Sequence, residues 1–111
     1  MKMTAIRKKS ETCEEQLRRM CESIAKEISD ENNTMKQLEA FMDGVYSIEW
    51  ITHQDHSYKA ARLRVAGGGP NIWVNLQSHT VEGYWWGDYC THRFEDNLGL
   101  DEYLEELHAS K

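Results

Sequence analysis

Apolar residues along this chain change their spacing twice. Cys13, Leu17, Met20, Cys21, Ile24 and Ile28 follow one another at steps of three, four or one, the stripe of an amphipathic helix whose other sides carry charge. Thr12 and Glu15 stand where a capping box would open that helix. Residues 30–33 break the period with Asp30 and Asn33, and a second, shorter helix is predicted from Asn33 or Thr34. Its buried face would be Met35, Leu38, Phe41 and Met42, and Gly44 is placed to end it.

From Val45 the period becomes two. Tyr46, Ile48 and Trp50 share one face of a first strand, and residues 53–57 form a polar turn containing His53 and His56. Ala61, Leu63 and Val65 line a second strand whose opposite face shows Arg62 and Arg64. Residues 66–71 then read as a reversal, because glycine reaches backbone angles closed to other residues, Pro70 fixes its own φ and Asn71 favours turns. In the third strand Ile72, Val74 and Leu76 face the core while Trp73 and Asn75 face away. After a turn at residues 77–80, the strand at 81–86 sets Val81, Gly83 and Trp85 opposite Glu82, Tyr84 and Trp86. Residues 89–94 are either a fifth short strand or the tail of the fourth beyond a kink at Gly87.

The period returns to helical at the end. Leu100, Tyr103, Leu104 and Leu107 form a stripe, with Asp96 or Asn97 as cap and Asp101 and Glu102 in the first turn, where the helix dipole favours acids. The expected fold is therefore α+β: two N-terminal helices, a four- to five-stranded antiparallel meander and one C-terminal helix. In one domain of 111 residues, 1–9 lack periodicity and are expected to be flexible, 10–44 helical, 45–95 sheet and 96–108 helix.

No run approaches the ~18 apolar residues of a membrane helix, and the basic start lacks an apolar region behind it, so a cytoplasmic protein without membrane contact is expected. Cys13, Cys21 and Cys90 are an odd number and read as free thiols rather than a disulfide framework. The net charge is −6, and residues 96–111 set Asp96, Asp101, Glu102, Glu105 and Glu106 against Lys111 alone. Beyond Lys8-Lys9, Arg18-Arg19 and the Arg62/Arg64 pair there is no basic patch to neutralise phosphates, which argues against direct nucleic-acid binding and for a basic partner.

Two surfaces stand out as candidate binding sites. Trp73, Tyr84 and Trp86 fall on the face opposite Trp85. They form either an exposed aromatic patch or a second small core covered by the N-terminal helices. Asp101, Glu102, Glu105 and Glu106 lie on the last helix and, with Asp96, Glu82, Asp88 and Glu95, could make a continuous negative surface. Such a surface imitates nucleic-acid phosphates, although a run of this kind is also simply a solvated helix face. His53, His56, Cys90 and His92 carry zinc-binding atoms, but their spacing fits no ribbon or finger, and Cys90 with His92 lacks an orienting acid and an oxyanion hole. Residues 67–69 lack the Lys-Ser/Thr and the helix of a phosphate loop. No catalytic residue, metal or cofactor is expected.

Gly68-Gly-Pro-Asn-Ile-Trp-Val-Asn75, Val81-Glu-Gly-Tyr-Trp-Trp-Gly-Asp88 and Asp101-Glu-Tyr-Leu-Glu-Glu106 resemble a group of small proteins encoded by phages, prophages and conjugative elements. The resemblance spans roughly residues 45–107, leaves the N-terminal helices outside it, and implies a β-meander closed by a C-terminal helix. It transfers no site residues. By analogy it implies a non-enzymatic inhibitor of a bacterial defence nuclease, of the anti-CRISPR or anti-restriction type, with a host or phage protein as partner. The alternative is an accessory or regulatory interaction module, dimeric if the Cys13 to Ile28 stripe pairs with a second copy.

Overall fold

The computed structural model of the protein describes residues 12–110, so the flexibility expected for residues 1–9, and Lys8-Lys9, lie outside the described part. Helix α1 spans Cys13–Ser29 and α2 Met35–Asp43; strands β1 (Ser47–Thr52), β2 (Tyr58–Ala66), β3 (Asn71–Asn75), β4 (Thr80–Trp85) and β5 (Asp88–Arg93) follow, and α3 (Leu100–Ala109) closes the chain. The five strands lie in sequence order, each antiparallel to the next. This is an α+β fold on a five-stranded meander.

Local chemistry accounts for the helix ends. Thr12 and Glu15 form the expected capping box, with bonds of 3.0 Å in each direction. Thr34 and Gln37 form a second one on α2. Gly44 does terminate α2, but at φ −94°, so it closes the helix without the left-handed turn typical of a glycine stop. Ahead of α3, the left-handed residue is Gly99, and Asp96 reaches past it: its carboxylate accepts from the backbone N–H of Gly99, Leu100 and Asp101 at 2.9 to 3.0 Å. One side chain thus satisfies the amide groups that a helix start leaves unpaired. The predicted helix over 96–108 is this cap loop plus a helix beginning at Leu100.

All three helices serve one face of the sheet. Leu17, Cys21, Ala25 and Ile28 of α1 are buried, and α1 lies on β4 and β5 while α3 lies on β2. The sheet meets them with Leu63, Ile72, Val74, Val81 and Leu76, and Leu38, Leu100 and Leu104 complete the same cluster. Within the Cys13 to Ile28 stripe, Leu17, Cys21 and Ile28 are buried against the sheet, while Cys13, Met20 and Ile24 are only partly covered. Among the described residues the other face of the sheet carries no helix, so α1 and α2 do not cover the Trp73 face as the reading with a second core expected.

Three residues expected in the core are exposed instead, and Val65 and Trp85 are only partly buried against it. Met35 is 63% exposed and Leu107 also faces solvent, because both lie at the rim of their stripes, beyond the reach of the sheet. Tyr46 precedes β1 and is exposed. Val65 is only half-buried: the ladder between β2 and β3 shifts register between Arg64 and Ala66, so Val65 bulges and Ala66 pairs with Ile72 instead. A second shift, between Ile51 and Thr52, pairs Thr52 with Tyr58 and leaves Lys59 over. That bulge turns Tyr58 to the helix face. Residues 89–94 resolve as a true fifth strand, reached by a two-residue turn of Trp86 and Gly87 that takes Trp86 out of β4.

Candidate functional site

The two surfaces singled out in the sequence lie on opposite sides of the molecule. On the helix side, α3 is anchored by Trp50, Tyr58 and His108, whose rings lie 5.1 to 6.2 Å apart, and by the Tyr58 hydroxyl donating to Asp101 Oδ1 at 2.7 Å. Burial first, then the bond to Asp101 and nearby negative charge, push the Tyr58 phenol well above its ordinary range. Asp101 is thus committed to holding α3 on the sheet. Asp96, similarly, is committed to capping it.

Glu102, Glu105 and Glu106 are different. All three are exposed, and among the described residues none of their side chains makes a hydrogen bond or ion pair. Glu102 and Glu106, one helical turn apart, border a cleft of about 430 Å³ between α3 and the start of α2. Leu38, Leu98 and Tyr103 give the cleft an apolar lining, with exposed Met35 on its wall and Asn33, Thr34 and Asn97 as polar neighbours. The cleft is rigidly framed. Asn97 donates to Ser29 O at 2.7 Å and the backbone N–H of Glu95 to Ser29 Oγ at 3.0 Å, tying the loop before α3 to the end of α1. Sequence reasoning found the acids and missed the cleft, because Asn33 and Asn97 are brought together only by the packing of α1 against β5.

On the open face of the sheet Trp73 is half-buried, not free: the Arg62 guanidinium sits 4.2 Å above its ring. Arg62 in turn donates to Glu49 at 3.0 Å and to Glu82 at 3.1 Å, and Asn75 donates to the second oxygen of Glu82 at 3.1 Å. Glu82 is therefore part of this lattice rather than of a free acidic surface. Arg64 donates to Asn71 at 2.9 Å beside it. The aromatic character moves to the end of the face, where Tyr84 and Tyr89 are register partners with ring centroids 4.9 Å apart, and Trp86 is 80% exposed. Tyr89 was not among the predicted site residues. Its position opposite Tyr84 follows from the two-residue turn, which the sequence left undecided.

The remaining donor atoms are scattered. His53 and His56 are in the exposed β1–β2 turn, with His56 at φ 72°, while Cys90 faces Cys21 and His92 is exposed on β5. Among the described residues no three His, Cys, Asp or Glu side chains converge as a metal site would require, and no helix is long and apolar enough to cross a membrane. Compared with known protein families, curated proteins and solved structures, the chain finds no match.

Proposed function

We propose that this is a non-enzymatic binding protein that engages a basic protein surface through α3 and the cleft beside it. The carrying observation is that the Glu102, Glu105 and Glu106 side chains are exposed and make no hydrogen bond or ion pair among the described residues, whereas Asp96 and Asp101 are engaged in building the helix and docking it. Carboxylates held on a rigid helix beside an apolar cleft suit a partner segment that carries Lys or Arg next to an apolar side chain. Charge would steer the encounter and set register, and the buried apolar contact would slow release. The resemblance to phage and mobile-element proteins points to the partner class: a bacterial defence nuclease whose basic nucleic-acid groove the acidic helix would occupy. Such a protein acts stoichiometrically and in the cytoplasm, with no cofactor and no direct contact with nucleic acid.

The test is parallel affinity capture from a bacterial host with the wild-type chain and with a variant carrying Glu102→Lys, Glu105→Lys and Glu106→Lys. The expected result is a nucleic-acid-processing protein retained by the wild type, lost with the triple reversal, and released as salt rises, since screening limits the reach of charge to ~8 Å near physiological ionic strength. Circular dichroism should show the variant folded. A partner that survives both the reversal and high salt would refute the acidic-helix reading and move the interface to Trp73, Tyr84 and Trp86.

A further inference from the structure

Cys21 and Cys90 are 69 residues apart in sequence, yet their Sγ atoms lie 3.4 Å from one another. Three features bring them together. The Leu17 and Cys21 row of α1 rests on the β4–β5 hairpin, Cys90 occupies the middle of edge strand β5, and Gly83, the register partner of Cys90, leaves room for the Cys21 sulfur. A Cβ at position 83 would come within 2.5 Å of that sulfur. Cys13 cannot pair with Cys21, which it precedes by eight residues on the same helix, about 12 Å along its axis. Cys21 is fully buried and Cys90 half-buried, so a reagent from solvent meets Cys90 first.

We infer that Cys21 and Cys90 form a dithiol site whose substrate is a low-molecular-weight disulfide of the glutathione class, and which closes to an intramolecular disulfide joining α1 to β5. The Cys90 thiolate attacks one sulfur of the reagent, breaking its S–S bond and releasing the first thiol, which takes up the proton Cys90 gave up. Cys21 then attacks Cys90 Sγ from inside the fold, loses its own proton and expels the second thiol. Two protein thiols are oxidised by two electrons and one reagent disulfide is reduced to two thiols. Burial, the largest cause of the raised Cys21 thiol, persists once Cys90 carries the reagent sulfur, which makes the second step the slower one near neutral pH. The link would fix α1, the only helix that covers β4 and β5 among the described residues, to the sheet edge it covers. This inference does not depend on the acidic-helix reading.

The experiment equilibrates the full chain, and a Cys13→Ser variant, with reduced and oxidised glutathione at increasingly oxidising ratios, then acid-quenches, alkylates and maps the products by mass spectrometry. The expected product in both proteins is two hydrogens lighter, links the peptides of Cys21 and Cys90, and returns to the dithiol with dithiothreitol. The oxidised form should melt at a higher temperature than the reduced one. A stable glutathione adduct on Cys90 without the link, a link that includes Cys13, or thiols that react only in denaturant would overturn the assignment. So would an oxidised form that melts lower.

Discussion

Gly83 and Cys21 are fitted to each other across the α1–β4 interface: the sulfur occupies the space a side chain at position 83 would need, with Leu17 Cδ1 at 2.9 Å from the same point. Overfilling so tight a contact displaces side chains that have nowhere to go, at a typical cost of ~1 to 3 kcal/mol. Gly83→Ala is therefore expected to destabilise by about that amount in urea unfolding. Combined with Cys21→Ala it should cost less than the sum of the two single changes, because the truncated residue 21 makes part of the room. Full additivity would mean that Leu17 alone meets the new methyl.

The turn between β4 and β5 places Trp86 at φ 53° and Gly87 at φ 84°, the double positive φ of a type I′ hairpin. A bulky L-residue pays roughly 1 to 2 kcal/mol for the left-handed region, and asparagine much less. With its ring 80% exposed, Trp86 recovers little of this from packing. Trp86→Asn should raise stability by ~0.5 to 1 kcal/mol, read from the urea midpoint at unchanged slope. Loss of stability would show that the indole packs across the turn more than its exposure indicates.

Glu82 and Glu49 both receive Arg62, but only 14% of the Glu82 side chain is exposed against 57% for Glu49. Glu82 also satisfies Asn75, so its removal strands two donors on the open face. Glu82→Ala is expected to cost ~1 to 3 kcal/mol and Glu49→Ala less than ~1 kcal/mol in thermal or chemical unfolding. Equal costs would show the lattice is held by the Arg62–Trp73 stack instead.

Stability should fall at alkaline pH and not before. Cys21 titrates higher in the fold than its ordinary 9.0, at about 12, and Tyr58 is also raised above its ordinary 10.0. A group whose folded pKa is raised holds its proton more tightly in the fold, so its contribution is complete below the unfolded value and lost as pH climbs past it. The decline should begin near pH 9 through Cys21 and steepen above pH 10 through Tyr58. Tyr58→Phe should flatten the upper part of that decline in urea titrations run across pH 7 to 12. An unchanged profile would remove Tyr58 from the account.

Much of the fold was legible in the residues themselves. The period-3.6 stripe of α1, its Thr12/Glu15 box and the alternation through β3 and β4 are set by neighbours within a few positions, and such local patterns need no knowledge of the rest of the chain. The acids of α3 and the phase that puts Trp73 and Tyr84 opposite Val74 and Val81 were readable for the same reason. Which of those residues is free to bind was not. Periodicity gives a side chain a direction but not the object it meets, so it could not say that Asp101 is taken by Tyr58, that Arg62 covers Trp73, that Met35 and Leu107 lie past the edge of the sheet, or that bulges at Lys59 and Val65 reset the faces of β2. The Cys21–Cys90 contact spans 69 residues and exists only because α1 crosses the β4–β5 pair at a glycine. Local sequence determined the elements and their faces; the free carboxylates, the cleft and the thiol pair were decided by packing, because each depends on distances between segments whose spacing in the chain carries no information about their spacing in the fold.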